Sequence, residues 1–125
     1  MCEVATEDGQ PLRRCILTRH EKAHCVAGAS LRDQRFAGVD LTDAVFTRSD
    51  CEGVRFVDVD LRRADFRDAR LTSASFILCD LADARFESAA VTSAYFVGCR
   101  GMLPETIRTL RARGAMVWGR VGSGY

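Results

Sequence analysis

The chain has 125 residues, 47% of them apolar, with 18 basic and 17 acidic side chains. That length supports one domain with its own core, and the near-neutral total gives no basis for a strong nucleic-acid field or a membrane span. The charge is uneven, however: residues 31–99 carry nine positive and twelve negative groups, whereas residues 100–125 carry five arginines against Glu105. A mildly acidic body thus ends in a basic tail.

Residues 1–25 read as an N-terminal cap. Asp8-Gly9 is a turn signal between Glu3–Thr6 and Leu12–Leu17, which predicts a β-hairpin. The start, Met1-Cys2-Glu3, is acidic and lacks the apolar run of a secretory leader, so the expected setting is the reducing cytoplasm. Cys2, Cys15, His20, His24 and Cys25 form the one ligand-type cluster. Thiolates and imidazoles suit zinc, but no Cys-x2-Cys pair is present, and no metal ligand is assigned there.

Residues 26–100 follow a different rule. From Leu31 an apolar residue falls on every fifth position: Leu31, Phe36, Leu41, Phe46, Cys51, Phe56, Leu61, Phe66, Leu71, Phe76, Leu81, Phe86, Val91 and Phe96. Two residues before each stands a small residue such as Ala44, Ala64 or Ala84, with Gln34 the exception. A helix needs a period of 3.6 and a flat strand a period of 2, so neither fits. Repetition of this kind means units that bury a continuous core only by stacking. Gln34, at an inward slot, must find partners for its amide, and hydrogen bonds to the cap are expected.

Units such as Ala64-Asp65-Phe66-Arg67-Asp68 and Cys79-Asp80-Leu81-Ala82-Asp83 resemble the pentapeptide-repeat family. The resemblance implies an all-β solenoid, a right-handed quadrilateral β-helix with four pentads to a coil. Residues twenty apart then stack. Phe36, Phe56, Phe76 and Phe96 form one inward column and Phe46, Phe66 and Phe86 the opposite one, with smaller side chains between them. At about 4.8 Å per strand the rod is roughly 15–20 Å tall. Cys51, Cys79 and Cys99 sit inward, where free thiols are expected; Cys79 and Cys99 stack close enough for a disulfide only on distance.

Residues 101–125 form a capping helix and tail. Pro104 suits the first helical position and Glu105 the helix dipole. Leu103, Ile107 and Leu110 share one face at helical spacing, and Gly114 is the expected stop. Arg108, Arg111 and Arg113 are expected in water. Ala115–Trp118 is apolar enough to pack on the body or on a second copy.

The outward positions carry the functional reading. After the rings of one face come Ala37, Val57, Ile77 and Val97, flanked by Leu78 and Tyr95, where other faces show charged or hydroxylated residues. Such a stripe marks a contact, either with a partner or second copy, or with the chain's own hairpin or Trp118 tail. Val57, Ile77, Leu78, Tyr95 and Val97 are the expected partner-binding residues. Leu103, Ile107, Leu110 and Trp118 are the expected C-terminal packing or dimer residues. Asp40, Asp60 and Asp80 form an outward ladder, whose stacked like charges would raise their pKa values unless Arg62 and Arg63 pair with them.

No catalytic constellation, cofactor site or phosphate-cradling loop is present in the sequence. The expected function is a non-enzymatic protein-interaction scaffold, presenting flat faces to a macromolecular partner or to a second copy, with no direct nucleic-acid or membrane binding. The family resemblance implies an alternative, a DNA-mimicking modulator of a type II topoisomerase that protects gyrase, but the body is too weakly acidic for a duplex-like surface. A small zinc-binding regulator acting through the Cys/His cluster is the third reading.

Overall fold

The computed structural model describes residues 27–118. Every fifth residue from Leu31 to Phe96 is buried, as the period demands. The chain turns a corner after each of them, because the residue two positions on is held at positive φ: Asp33, Asp43, Arg48, Asp58, Arg63, Asp68, Ser73, Leu78, Asp83, Ser88 and Ser93, with Gly28, Gly38, Gly53 and Gly98 at the intervening corners. Aspartate and glycine are the residues that tolerate this region best.

On three faces the corner closes a turn in which the buried residue's carbonyl accepts from the N–H three residues later, as in Ala44 N–H to Leu41 O (3.1 Å) and Ala69 N–H to Phe66 O (3.1 Å). With positive φ at the third residue, this is the type II arrangement. On the remaining face the chain stays extended for three residues, giving β1 (Arg35–Ala37), β2 (Arg55–Val57), β3 (Ser75–Ile77) and β4 (Tyr95–Val97). On every face the corner N–H donates to the next coil, for example Asp43 to Arg62 O at 2.9 Å, Asp58 to Ile77 O at 2.8 Å and Leu78 to Val97 O at 2.8 Å. The β-branched Val57, Ile77 and Val97 favour this extended form.

The strands pair in parallel with a shift of twenty residues: Phe36 lies beside Phe56, Phe56 beside Phe76, and Phe76 beside Phe96. Single ladder contacts on the other faces keep the same shift, among them Asp40 with Asp60 and Asp65 with Arg85. Rings within a column stack at 4.6–5.3 Å between centroids. Rings of opposite columns meet edge to face at 5.6–6.2 Å. Both geometries are favoured by the ring quadrupole, so the two columns mesh into one filled core.

Cys51, Cys79 and Cys99 are buried free thiols. Burial pushes the Cys51 thiol up to about 12, and Cys79 and Cys99 donate to the carbonyls of Phe56 (3.4 Å) and Phe76 (3.2 Å). Ser49, the buried hydroxyl of the small-residue series, donates to Phe46 O at 2.6 Å. Val39 and Ala84 pack only partly into the core, and Gln34 is half-buried. The expected hairpin, its partnership with Gln34 and the cluster of Cys2, Cys15, His20, His24 and Cys25 lie outside the described residues.

Helix α1 (Pro104–Ala112) closes the C-terminal end, with Pro104 opening it, Glu105 in its first turn and Arg111 in its last. Gly114 follows at φ 101°, a backbone conformation open to glycine after a helix end. Ile107 and Leu110 join the core, but Leu103 is 57% exposed. The shared-face expectation fails at Leu103 because it is the N-cap, with extended backbone at ψ 153°, and helical spacing does not extend to it. Arg108, Arg111 and Arg113 are exposed, as expected, and two of them also bond to backbone carbonyls. Arg111 donates to Val117 O at 2.8 Å, and Arg113 to the carbonyls of Phe86 and Ala89, each at 3.4 Å.

The tail returns as β5 (Met116–Trp118), which pairs in parallel with β4 and completes a sheet in the order β1-β2-β3-β4-β5. Its register shift is twenty-one, Val117 lying beside Phe96. Arg111 thus binds a carbonyl of the last strand, and the helix blunts an edge that would otherwise be open to further strands.

Candidate interaction face

The outer surface divides into charged faces and one apolar face. On the charged faces an aspartate before the buried residue accepts from the N–H two positions on: Asp40 from Thr42 (3.0 Å), Asp60 from Arg62 (3.2 Å), Asp65 from Arg67 (3.1 Å) and Asp80 from Ala82 (3.2 Å). Aspartate suits this slot because its short side chain satisfies a local backbone donor.

Where an arginine follows, the pair is bidentate, with Arg62 on Asp60 at 2.9 and 2.8 Å and Arg67 on Asp65 at 2.9 and 2.7 Å. Arg63 reaches back one coil to Asp43 (2.7 and 3.0 Å), and Arg100 lies 3.6 Å from Asp80. Within the ladder of Asp40, Asp60 and Asp80, the middle carboxyl, Asp60, behaves opposite to simple like-charge stacking. The Arg62 hydrogen bonds hold the Asp60 carboxyl below the usual range, and Arg67 does the same for Asp65. Contact with a guanidinium outweighs repulsion from carboxylates a coil away. Among the described residues no group of histidine, cysteine and carboxylate side chains is arranged to hold a metal.

The apolar face is the outer surface of the five-stranded sheet. Strand register stacks Ala37, Val57, Ile77, Val97 and Trp118 in one column. Beside it run Arg35, Arg55, Ser75, Tyr95 and Met116. The expected set of Val57, Ile77, Leu78, Tyr95 and Val97 is thus brought together on one surface. Leu78 stands at the corner after β3 and is 53% exposed, Tyr95 is 39% exposed and Trp118 52% exposed. The Trp118 ring stacks on Tyr95 (5.8 Å, 21°). An exposed leucine at φ 56° is an unfavourable residue in an unfavourable backbone region; its side chain lies where a Cβ on Gly98 would come within 2.8 Å, so Leu78 leans along the face toward β4.

The second expected set separates. Ile107 and Leu110 are interior, Leu103 is exposed at the helix start, and Trp118 belongs to the apolar face. Met116–Trp118 extends the stripe by one strand. That addition is invisible to a rule of period five, because fifteen residues of helix and connection precede β5 and its shift is twenty-one. A sequence signal for the corners was available in the Gly, Asp and Ser residues that fill these fifth positions at all but Arg48, Arg63 and Leu78.

A four-sided parallel solenoid with a filled core, stacked inward rings and a positive-φ corner at each fifth residue is a repeat scaffold. A family model described as pentapeptide repeats matches residues 27–63 and 64–100, with eight copies. The chain belongs to the pentapeptide-repeat family. Among solved structures it is similar to trypsin-treated QnrB1, described as a plasmid-mediated fluoroquinolone resistance protein, at 22% identity and TM-score 0.52, over 61% of this chain and 42% of that one. It is also similar to the pentapeptide repeat protein Rfr23 from the cyanobacterium Cyanothece 51142, at 17% identity and TM-score 0.57, over 74% of this chain and 59% of that one. The chain thus spans about half the length of these structures, and the likeness is one of fold. No curated protein matches the chain.

Proposed function

We propose that this chain is a non-enzymatic interaction scaffold whose working surface is the outer face of β1–β5. The carrying observation is the unbroken column from Ala37 to Trp118, with Leu78 and Tyr95 exposed beside it. A contiguous apolar strip rimmed by charge is the usual mark of a protein contact, and tyrosine and tryptophan are enriched where contacts carry most energy. Ring-filled solenoids offer flat faces rather than clefts, which favours contact over catalysis. In this reading residues 1–25 form the cap, 26–100 the repeat body and 101–125 the closing helix and tail.

The setting is reducing and cytoplasmic, in keeping with three buried free thiols. No helix among the described residues is long and apolar enough to cross a membrane. Mimicry of DNA draws no support from the surface, since Asp43, Asp60 and Asp65 are neutralised by arginines, whereas a duplex presents about one uncompensated charge per 1.7 Å.

Affinity capture from a lysate of the source organism tests the reading, with wild type beside Val57→Glu/Ile77→Glu. The expected result is a protein, this chain's own second copy included, that wild type holds and the folded double variant releases. Identical capture by both folded chains would remove the face from consideration.

A further inference from the structure

The last coil keeps an open edge on the face that carries Phe46, Phe66 and Phe86. In the two coils below, a pair of backbone groups on this face holds the main chain of the coil above. Ala44 C=O accepts from Asp65 N–H (2.9 Å), and Phe46 N–H donates to Asp65 C=O (2.7 Å). Ala64 and Phe66 hold Arg85 in the same way, at 2.9 and 2.8 Å. By the twenty-residue shift the next occupant is residue 105. Glu105 instead lies in the first turn of α1, because the chain leaves the ladder at Pro104. Ala84 C=O and Phe86 N–H therefore have no hydrogen-bond partner among the described residues. The Phe86 carbonyl, by contrast, accepts from Ala89 N–H and from Arg113.

The helix does not close down over that edge. A cleft of about 180 Å³ separates it from the coil, lined by Ala84, Phe86, Leu110, Thr106, Thr109 and Arg113 among others. Its opening explains why Ala84 is only partly buried and why Phe86 is the most exposed of the stacked rings.

We propose that this cleft binds an extended peptide through one acidic residue, whose N–H and C=O pair with Ala84 and Phe86 as the next rung of the ladder. An unpaired strand edge recruits extended chain in this manner. The helix limits the contact to about one residue, since the cleft has room for roughly six waters. Binding is accordingly weak, with Kd on the order of 1 mM.

The ladder also sets the side chain. The added residue stands directly over Arg85. Elsewhere in the solenoid, cation and carboxylate twenty residues apart meet in both orders, Glu52 above Arg32 (3.3 Å) and Asp80 below Arg100 (3.6 Å). Arg113 brings a second cation to the cleft; Glu87 is engaged by Arg85 at 3.6 Å, and Glu105 is the one opposing charge. Aspartate is therefore expected over Arg85. Glycine suits both flanks, because Ile107 and Leu110 already fill the end of the core.

Titration of the isotope-labelled full chain with acetyl-Gly-Asp-Gly-amide, to about 20 mM and followed by nuclear magnetic resonance, tests the proposal. The expected result is a saturable shift of the Phe86 and Thr106 amides, with slowed exchange of the Phe86 N–H. The same peptide N-methylated at its aspartate cannot donate to Ala84 and should bind about tenfold more weakly or worse. Acetyl-Gly-Lys-Gly-amide should also bind more weakly than the aspartate peptide. Thr109→Trp plugs the cleft and should abolish the shifts; if circular dichroism shows that chain to be unfolded, the N-methyl comparison on wild type decides. No saturable shift at Phe86 overturns the proposal. So does an N-methylated or lysine peptide that binds as tightly as the first, or a folded Thr109→Trp chain that binds like wild type. The cleft lies on the side of the coil opposite β1–β5, so Val57→Glu/Ile77→Glu should leave the titration unchanged, and the two surfaces stand or fall separately.

Discussion

Replacing Phe66 with alanine is expected to lower the free energy of unfolding by about 3–5 kcal/mol. Phe66 is fully buried and lies at the centre of the ring stack. It stacks on Phe46 (4.6 Å) and Phe86 (5.3 Å) and meets Phe56 (6.1 Å) and Phe76 (5.6 Å) edge to face. Removing it deletes the transfer term for a large ring and leaves a cavity that four rings line. Collapse into that space is resisted because each lining ring is fixed by the coil above or below it. Phe86, at the end of its column and 7% exposed, should cost less when truncated. Urea unfolding checks both, with the midpoint shifting and the slope unchanged. A Phe66→Ala loss under about 1 kcal/mol would mean that the rings do not stack as described.

Gly101→Ala is expected to cost about 2–4 kcal/mol, although it adds one methyl group. Gly101 has φ 92°, and a Cβ there would lie 2.6 Å from the Ala82 nitrogen and 2.8 Å from its Cα. Those are backbone atoms of the coil beneath, and they cannot rotate aside. The chain must shift just after Arg100, whose N–H is bonded to Cys79 O at 3.0 Å. The shift lifts α1, so Ile107 and Leu110 lose their seats and β5 loses its partner helix. In a stacked repeat such damage stays near the interface it breaks. Hydrogen exchange should therefore accelerate in α1 and β5 while protection around Leu41 and Leu61 is kept. Uniform loss across all coils would show that the C-terminal end is not a separate closing unit.

The repeat body was legible because one residue in five has no alternative. An apolar residue recurring at that spacing fits neither a helix nor a flat strand and demands stacked units; four pentads to a coil, and with it the twenty-residue shift, is what the resemblance to the pentapeptide-repeat family implies. Ring columns, buried cysteines and the outward stripe then follow by counting. Where the period stops, so does this logic. Leu103 matched Ile107 and Leu110 in spacing, yet the helix begins one residue after it, and a single residue of boundary error moves a side chain from core to solvent.

Trp118 was legible as apolar and homeless, but not as the fifth member of the stripe, because its strand's register is set by where α1 deposits the chain. The Asp60 and Asp65 pairs show a different limit. Counting charges along a column identifies like neighbours, whereas the carboxyl's surroundings are decided by the arginine two residues on. Arg62 pairs with Asp60 as its place beside the ladder suggests, whereas Arg63 reaches back one coil to Asp43 instead, a side-chain choice that column counting does not contain.

The chain's only tryptophan, Trp118, lies on the proposed contact surface, so the most direct test is its accessibility in the full chain at high dilution. Acrylamide quenching at high dilution reports whether the face is free. The account predicts red-shifted emission and efficient quenching, as for a half-exposed indole stacked on Tyr95. Blue-shifted emission that resists quenching at that dilution would mean that the chain covers the face with its own residues. The stripe would then be a piece of core, not a surface for a partner.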